Sequence, residues 1–488
     1  MNYLDFLKMI PEAVLVAILI ITFIADFAST KQTERKWLNP LVSVLYFALT
    51  IVCLLPLEPE NAFGSMYVTS SSVNVIKAIL ALGSLIVVIM SRSWAEENPK
   101  EGEFYMLLTS TLLGMFVMVS AGNFLMFFLG LEMASVPLAT MVAFDMKRNQ
   151  SAEGAAKFIL TATFSSGVML YGISFIYGAC GTLYFGDVRH ILMTIFAAGE
   201  TSKMLLPVMG LVFFFSGLGF KISLVPFHFW TADTYQGAPT PVTGYLSVIS
   251  KGAAAFTLLA ILFHVFTPMM KYWHVLLMIV VVLSITVANL FAIRQSELKR
   301  FMAFSSISQA GYIMLAAIGY NWANSVTALS YYILVYVVAN MAVFSIISVV
   351  EQNNGGKTDI DDYDGFYKTN PKLSFLMTLA MFSLGGIPPF AGMFSKFFVF
   401  MSGVNGADIH TTIGTWGYAV VFIALLNTVI SLYYYLKIVK AMYIKHSDNP
   451  LPTFKSDCNT KLALALCTTG ILLFGIFSYV YQWIATAA

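Results

Sequence analysis

Apolar residues run along this chain in blocks of about twenty, parted by short polar stretches that hold most of the charge. A block of that length crosses the hydrocarbon of a bilayer, and it must do so as a helix because lipid offers the backbone no hydrogen-bond partners. About fourteen blocks fall near 9–29, 37–56, 73–92, 103–121, 123–145, 151–178, 204–226, 241–267, 272–293, 301–320, 325–350, 371–401, 416–444 and 460–484. The pattern predicts an all-α polytopic membrane protein, a single integral membrane domain over 1–488 with no soluble domain between spans. The first block ends in Asp26 without a small-residue cleavage signal and reads as a retained helix. Residues 57–72, free of Lys and Arg, suit a small hairpin on one face, and the acidic connector 351–372 reads as solvated.

Composition agrees with the pattern. Of 488 residues 58% are hydrophobic and 11% charged, less than half the roughly 25% charge of a soluble domain. A net charge of +2 without a Lys/Arg cluster gives no nucleic-acid surface. Cys53, Cys180, Cys458 and Cys467 are scattered, form no metal-spaced set, and are expected to pack in the interior. Basic residues gather in the loops after odd-numbered blocks, from Lys31, Arg35 and Lys36 through Lys147, Arg148, Lys299 and Arg300 to Lys455 and Lys461. The other face holds only Lys8, Arg189, Lys203 and Lys271. The positive-inside rule therefore places both termini outside and the loops after odd-numbered blocks in the cytoplasm.

Two blocks are interrupted. Pro226 breaks the seventh, and Gly385-Gly386-Ile387-Pro388-Pro389 breaks the twelfth. Proline removes a backbone donor and clashes with the turn before it, so both helices should unwind near mid-membrane. The breaks lie five blocks apart. Since five is odd, two five-helix units of opposite orientation are expected, blocks 4–8 over 103–267 and blocks 9–13 over 272–444. Discontinuous helices at matching places of inverted repeats mark transport sites, although proline also kinks membrane helices that transport nothing.

Ionisable residues inside the blocks sharpen that expectation. Lys157, Lys221, Lys251 and Lys396 lie within apolar runs, and a lysine at the bilayer centre costs about 2.5–3.5 kcal/mol. Lys77 lies near a block start and is expected to snorkel to the headgroups. Glu132 is the one carboxylate near the middle of a block, at a depth where it can meet Lys221 and be shared with Lys157. Lys251 is then the unpaired member, and a desolvated ammonium releases its proton more readily than one in water. His228, just past the first break, is a possible proton relay, whereas His264 reads as interfacial. Ser305, Ser306, Ser308, Gln309 and Tyr312 give the tenth block a polar stripe that suits a hydrated channel and helix–helix hydrogen bonding equally.

No phosphate-binding loop, dinucleotide fingerprint or iron–sulfur cysteine set occurs, so no cofactor is expected in this chain. The stretches FLGLEMASVPL, AKFILTATFSSG, GLGFKISLVPFHFWTADTYQGAPTPVT, SVISKGAAA, LKRFMAFSSISQAGY and GGIPPFAGMFSKF, which lie across most of the chain, resemble the antiporter-like membrane subunits of respiratory complex I. Ser250-Lys251, where related distal subunits carry histidine, and Lys396, where one carries glutamate, separate the chain from those relatives. The resemblance implies a proton channel in a quinone-reducing, NADH-oxidising complex. It also implies FMN and iron–sulfur clusters on partner subunits, with another antiporter-like subunit and small membrane subunits flanking this one. It assigns Glu132 and Lys221 as a coupling pair, Lys251 as central proton carrier, Lys396 as terminal carrier and Lys157 as a further membrane lysine. A subunit of a sodium/proton antiporter or of a membrane-bound hydrogenase shares the resemblance. A mere structural spacer does not suit it, since buried lysines would weaken a spacer.

Overall fold

The computed structural model describes residues 3–29, 36–56, 60–405, 412–447, 450–477 and 479–488. Among them the spans are α1 (Ile10–Ala28), α2 (Leu38–Leu54), α3 (Ser71–Met90), α4 (Glu101–Val119), α5 (Phe124–Val142), α6 (Asn149–Cys180) and α7a (Thr201–Ile222). A half-helix α7b (Trp230–Gly237) follows, then α8 (Thr240–His264), α9 (Met270–Ile293), α10 (Leu298–Leu315) and α11 (Trp322–Asn353). A second pair of half-helices, α12a (Pro371–Gly385) and α12b (Ala391–Val404), precedes α13 (Thr412–Tyr443) and α14 (Cys458–Ile476). The fourteen expected blocks are all helical. The short amphipathic helix Phe185–Ala198 was not expected, because its 14 residues are too few to span.

α10 and α11 form the buried centre, packed by α3, α8, α12a, α12b and α14, whereas α1, α6 and α13 turn apolar side chains such as Phe27, Leu160 and Phe422 outward. Where helices meet most closely, glycine is required. A Cβ on Gly114 of α4 would lie 2.4 Å from the Ala134 nitrogen of α5, and one on Gly130 would lie 2.4 Å from the Met118 nitrogen. Small residues let backbones touch in this way inside membranes, where dispersion rather than water exclusion drives helix contact.

Both expected breaks are present and close alike. α7a ends with Ser223 in the left-handed region (φ 67°), where Leu224 N donates to Gly219 O at 2.8 Å. α12a ends with Gly386 (φ 83°), where Ile387 N donates to Phe382 O at 3.0 Å. This six-to-one closure is the Schellman arrangement, and the prolines beyond it prevent resumption of the helix. Serine side chains take up donors released at the breaks: Val225 N reaches Ser284 Oγ of α9 at 2.9 Å, and Gly392 N reaches Ser383 Oγ at 3.2 Å. α7a stops at Ile222, four residues ahead of the proline, because the turn needs those residues.

One further expectation is met and two change. The hairpin is real, with β1 (Asn61–Ala62) antiparallel to β2 (Tyr67–Val68), while 57–59 lie outside the described residues. The 351–372 connector is not simply solvated: Thr358, Ile360, Tyr363 and Phe366 are buried, and Ile360 N donates to Ser296 O at 2.8 Å. Hydrophobic residues spaced among its acids hold it against the start of α10. Three cysteines are buried as expected, but Cys458, at the first position of α14, is exposed.

Candidate proton-transfer site

Lys251 sits at the middle of α8, one residue after a π-helical turn over Leu246–Ser250. Such a turn inserts an extra residue and re-aims the side chain that follows, and it recurs at functional sites. Lys251 is 1% exposed, and its Nζ donates to Ser306 Oγ on α10 at 2.7 Å. The ammonium lies 5.3 Å from the centroid of the Tyr235 ring on α7b. Ser306 Oγ also lies 3.2 Å from the Tyr235 hydroxyl and 3.3 Å from Ser247 O.

Lys221 occupies the last turn of α7a, beside the break, where the carbonyl ends of a half-helix favour a cation. Its Nζ donates to Ser135 Oγ of α5 at 2.8 Å rather than to Glu132. Glu132, one turn earlier on α5, faces the same cavity of about 10 Å³ as Lys221, Ser135, Ser165 and Ser166. That is room for roughly one water. The expected pair thus shares a cavity and an electrostatic field without an ion pair between them.

Lys396 reaches back from α12b to the carbonyl of Gly385 at 3.2 Å, so its ammonium also lies at the negative end of a half-helix. Tyr312 presents its ring 5.0 Å away. A second cavity of about 10 Å³ joins Lys396 to Gln309, Tyr332, Tyr336 and Ser383. Gln309 lies one turn from Ser306 on α10 and binds the Tyr332 and Tyr435 hydroxyls. The polar stripe of the tenth block therefore faces the interior and runs from Lys251 towards Lys396, while also tying α10 to α11 and α13. Of the two readings of that stripe, hydrogen bonding between helices is the one seen directly.

Lys157 is placed differently from expectation. It is 44% exposed and pairs with Glu153 at 2.7 Å and with Asp233 of α7b at 2.6 Å, away from Glu132. His228 is buried in the α7a–α7b link, with Nδ1 lacking a hydrogen-bond partner. Sequence reasoning missed two ion-paired sites, one at Glu12 and one at Glu351. Lys77 does not snorkel: it is fully buried, 2.7 Å from Glu12 of α1, and both bind the hydroxyl of Tyr67 on β2. The available signal was that Glu12, Tyr67 and Lys77 all lie at one end of α1, the hairpin and α3, hence at one depth. Glu351, assigned to the solvated connector, instead binds Arg148 at 2.9 Å and the buried Lys299 at 3.4 Å.

Ion pairs thus engage Lys77, Lys157 and Lys299, but none engages Lys221, Lys251 or Lys396 among the described residues. A row of buried, unpaired lysines beside two broken helices defines an antiporter-like ion-translocating membrane protein. The comparisons narrow the class: residues 121–423 match the family model described as NADH:quinone oxidoreductase/Mrp antiporter, TM, and the chain belongs to that family. The NADH-quinone oxidoreductase subunit N of Phocaeicola vulgatus is 53% identical over the whole of both chains. A chain of respiratory complex I from Thermus thermophilus superposes with TM-score 0.79 at 28% identity, covering 98% of this chain and 100% of that one. An archaeal membrane-bound sulfane sulfur reductase chain gives TM-score 0.82 at 22% identity, with 98% and 96% covered, a likeness of fold. Among the described residues no group of His, Cys, Asp or Glu is arranged to hold a metal ion.

Proposed function

We propose that this chain is a proton-translocating membrane-arm subunit of an NADH:quinone oxidoreductase, with Lys251 as the central proton carrier. One observation carries the reading: three buried lysines that make no direct ion pair among the described residues, two of them with hydroxyl and amide groups of α10 between them. A proton leaving Lys251 has Ser306 at hydrogen-bond distance, and Gln309 and the small cavity beyond lead to Lys396. On the other side, Lys221 shares its cavity with Glu132, so a change in the charge of Glu132 alters the hold on the Lys221 proton. His228, in the link between α7a and α7b, is placed between Lys221 and Lys251 along the chain. Electron transfer, with FMN and iron–sulfur clusters, belongs to partner subunits.

α4–α8 and α9–α13 act as two inverted repeats, a reading supported by the shared closure of their breaks and by a lysine ammonium at each half-helix end. Small membrane subunits and a second antiporter-like subunit flank the chain. The exposed polar side chains of α6, Glu153, Lys157, Thr161 and Thr163, support a protein neighbour there rather than lipid. Both termini face the periplasm and 351–372 the cytoplasm, from the distribution of basic loops. Single cysteines at Asn354 and Asn405 then label from opposite sides, and labelling from one side contradicts this topology. Membranes lacking the chain should lose NADH-driven proton pumping, and the restored activity should persist without sodium. Pumping that survives deletion, or that requires sodium, overturns the proposal, the latter in favour of a sodium/proton antiporter subunit.

A further inference from the structure

The half-helix α7b is held on one side by charge and meets Lys251 on the other. Asp233 Oδ2 accepts from Lys157 Nζ of α6 at 2.6 Å, and its Oδ1 accepts from Arg300 Nη1 of α10 at 2.6 Å. The same Arg300 nitrogen donates to Gln236 Oε1 at 2.9 Å. Tyr235 comes two residues after Asp233, about 200° around the helix, and so faces the opposite way. Its hydroxyl meets Ser306 and its ring meets the Lys251 ammonium.

α7b also lies backbone to backbone on α6. A Cβ at Gly237 would fall 2.2 Å from Gln150 O, and Thr234 Oγ1 donates to Gly154 O at 3.3 Å. The link behind it, 223–229, is not helical, so α7b is joined to α7a by a turn rather than by a rigid rod. Lys157 has a second carboxylate within reach, Glu153 at 2.7 Å on the exposed side. Withdrawal of Lys157 towards Glu153 releases one oxygen of Asp233 while leaving every charge with a partner.

We propose that Asp233 is a positioning residue for proton transfer at Lys251: held between Lys157 and Arg300, it sets the seat of α7b and, through Tyr235, the contact between Lys251 and Ser306. The proposal rests on the reading of Lys251 as a proton carrier. It gives Lys157 a role through α7b in place of the expected contact with Glu132. Charge pairs as open as these contribute little to stability in water, so removing the carboxylate leaves the fold in place.

The test uses the assembled complex in native membranes, with assembly verified on native gels. Asp233→Asn keeps the size and loses the charge; Asp233→Glu keeps the charge. The expected result is that Asp233→Asn lowers the rate of NADH-driven proton pumping by about fivefold, the low end for coupling between two sites, while Asp233→Glu restores most of the loss. A wild-type rate in Asp233→Asn overturns the proposal, and so does equal loss in both variants, which would mark a packing role. If Asp233→Asn does not assemble, Arg300→Gln loosens the same seat from the α10 side, and a wild-type rate there is equally fatal. Lys251→Arg is measured in parallel. Normal pumping by that variant defeats the carrier reading itself, whereas a Lys251→Arg defect beside normal Asp233→Asn defeats only the positioning role.

Discussion

Lys77 and Lys251 are buried to the same degree, and each binds a hydroxyl and lies against an aromatic ring; what separates them is a carboxylate. Lys77 meets a carboxylate and a phenol, with Glu12 at 2.7 Å and the Tyr67 hydroxyl at 3.0 Å. Lys251 meets a hydroxyl and the face of an aromatic ring. A paired ammonium keeps its proton, because losing it would strand the partner's negative charge in a low dielectric. An ammonium held only by neutral groups strands nothing when it becomes an amine, and Ser306 can donate to the amine as readily as it accepts from the ammonium. Burial alone therefore does not mark a proton carrier; on the proposed reading, burial without a direct ion pair does. By that criterion Lys396 stands with Lys251, Lys221 stands nearest to them with Glu132 in its cavity but not bonded to it, and Lys299 stands with Lys77.

The largest effect should come from breaking the pair. Glu12→Gln or Lys77→Met alone leaves an uncompensated buried group, a loss of about 3–5 kcal/mol, and should abolish stable assembly. The double variant should regain much of it, as read from complex yield and thermal unfolding in detergent. If the single variants assemble normally, Lys77 has access to water and the contrast with Lys251 disappears. An intermediate effect is expected at Glu132, which shares a cavity with Lys221 without touching it. Glu132→Gln should leave assembly intact and lower turnover and pumping together, by roughly tenfold or less. Unchanged turnover and pumping would reduce Glu132 to a packing residue. Ser306→Ala should have the smallest effect, one hydrogen bond worth about 1 kcal/mol, seen as slowed pumping without loss of yield. Pumping at the wild-type rate there would remove Ser306 from the path.

The helices were legible in the sequence because lipid leaves a spanning segment no other secondary structure, and the breaks because proline and paired glycines act locally. Partnerships were less legible. The sequence places Glu132 and Lys221 at like depth but does not show that Lys221 bonds instead to Ser135, one turn along α5. Lys157 was assigned to Glu132 because the nearer carboxylate, Asp233, becomes its neighbour only once the chain folds back after Pro226. Glu12 and Lys77 were overlooked singly, each near the end of its helix, where snorkelling is the ordinary outcome; the hairpin that covers them is what closes off water. Glu351 was read with the acidic run that follows it, although it ends a helix whose neighbours supply Arg148 and Lys299. In each case, the depth of a residue could be read from the pattern, and its azimuth around the helix could not.

Arginine at position 251 tests the central claim most directly. Arginine keeps the charge and much of the reach of lysine but does not give up its proton in proteins, so it preserves a fixed countercharge and blocks a carrier. The measurement is proton pumping during NADH-driven quinone reduction, in membranes where assembly of the Lys251→Arg complex has been verified, beside Lys251→Ala. Loss of pumping as severe in the arginine variant as in the alanine variant is the predicted result. Pumping near wild type with arginine would show that Lys251 serves as a fixed charge, and would contradict its role as the proton carrier.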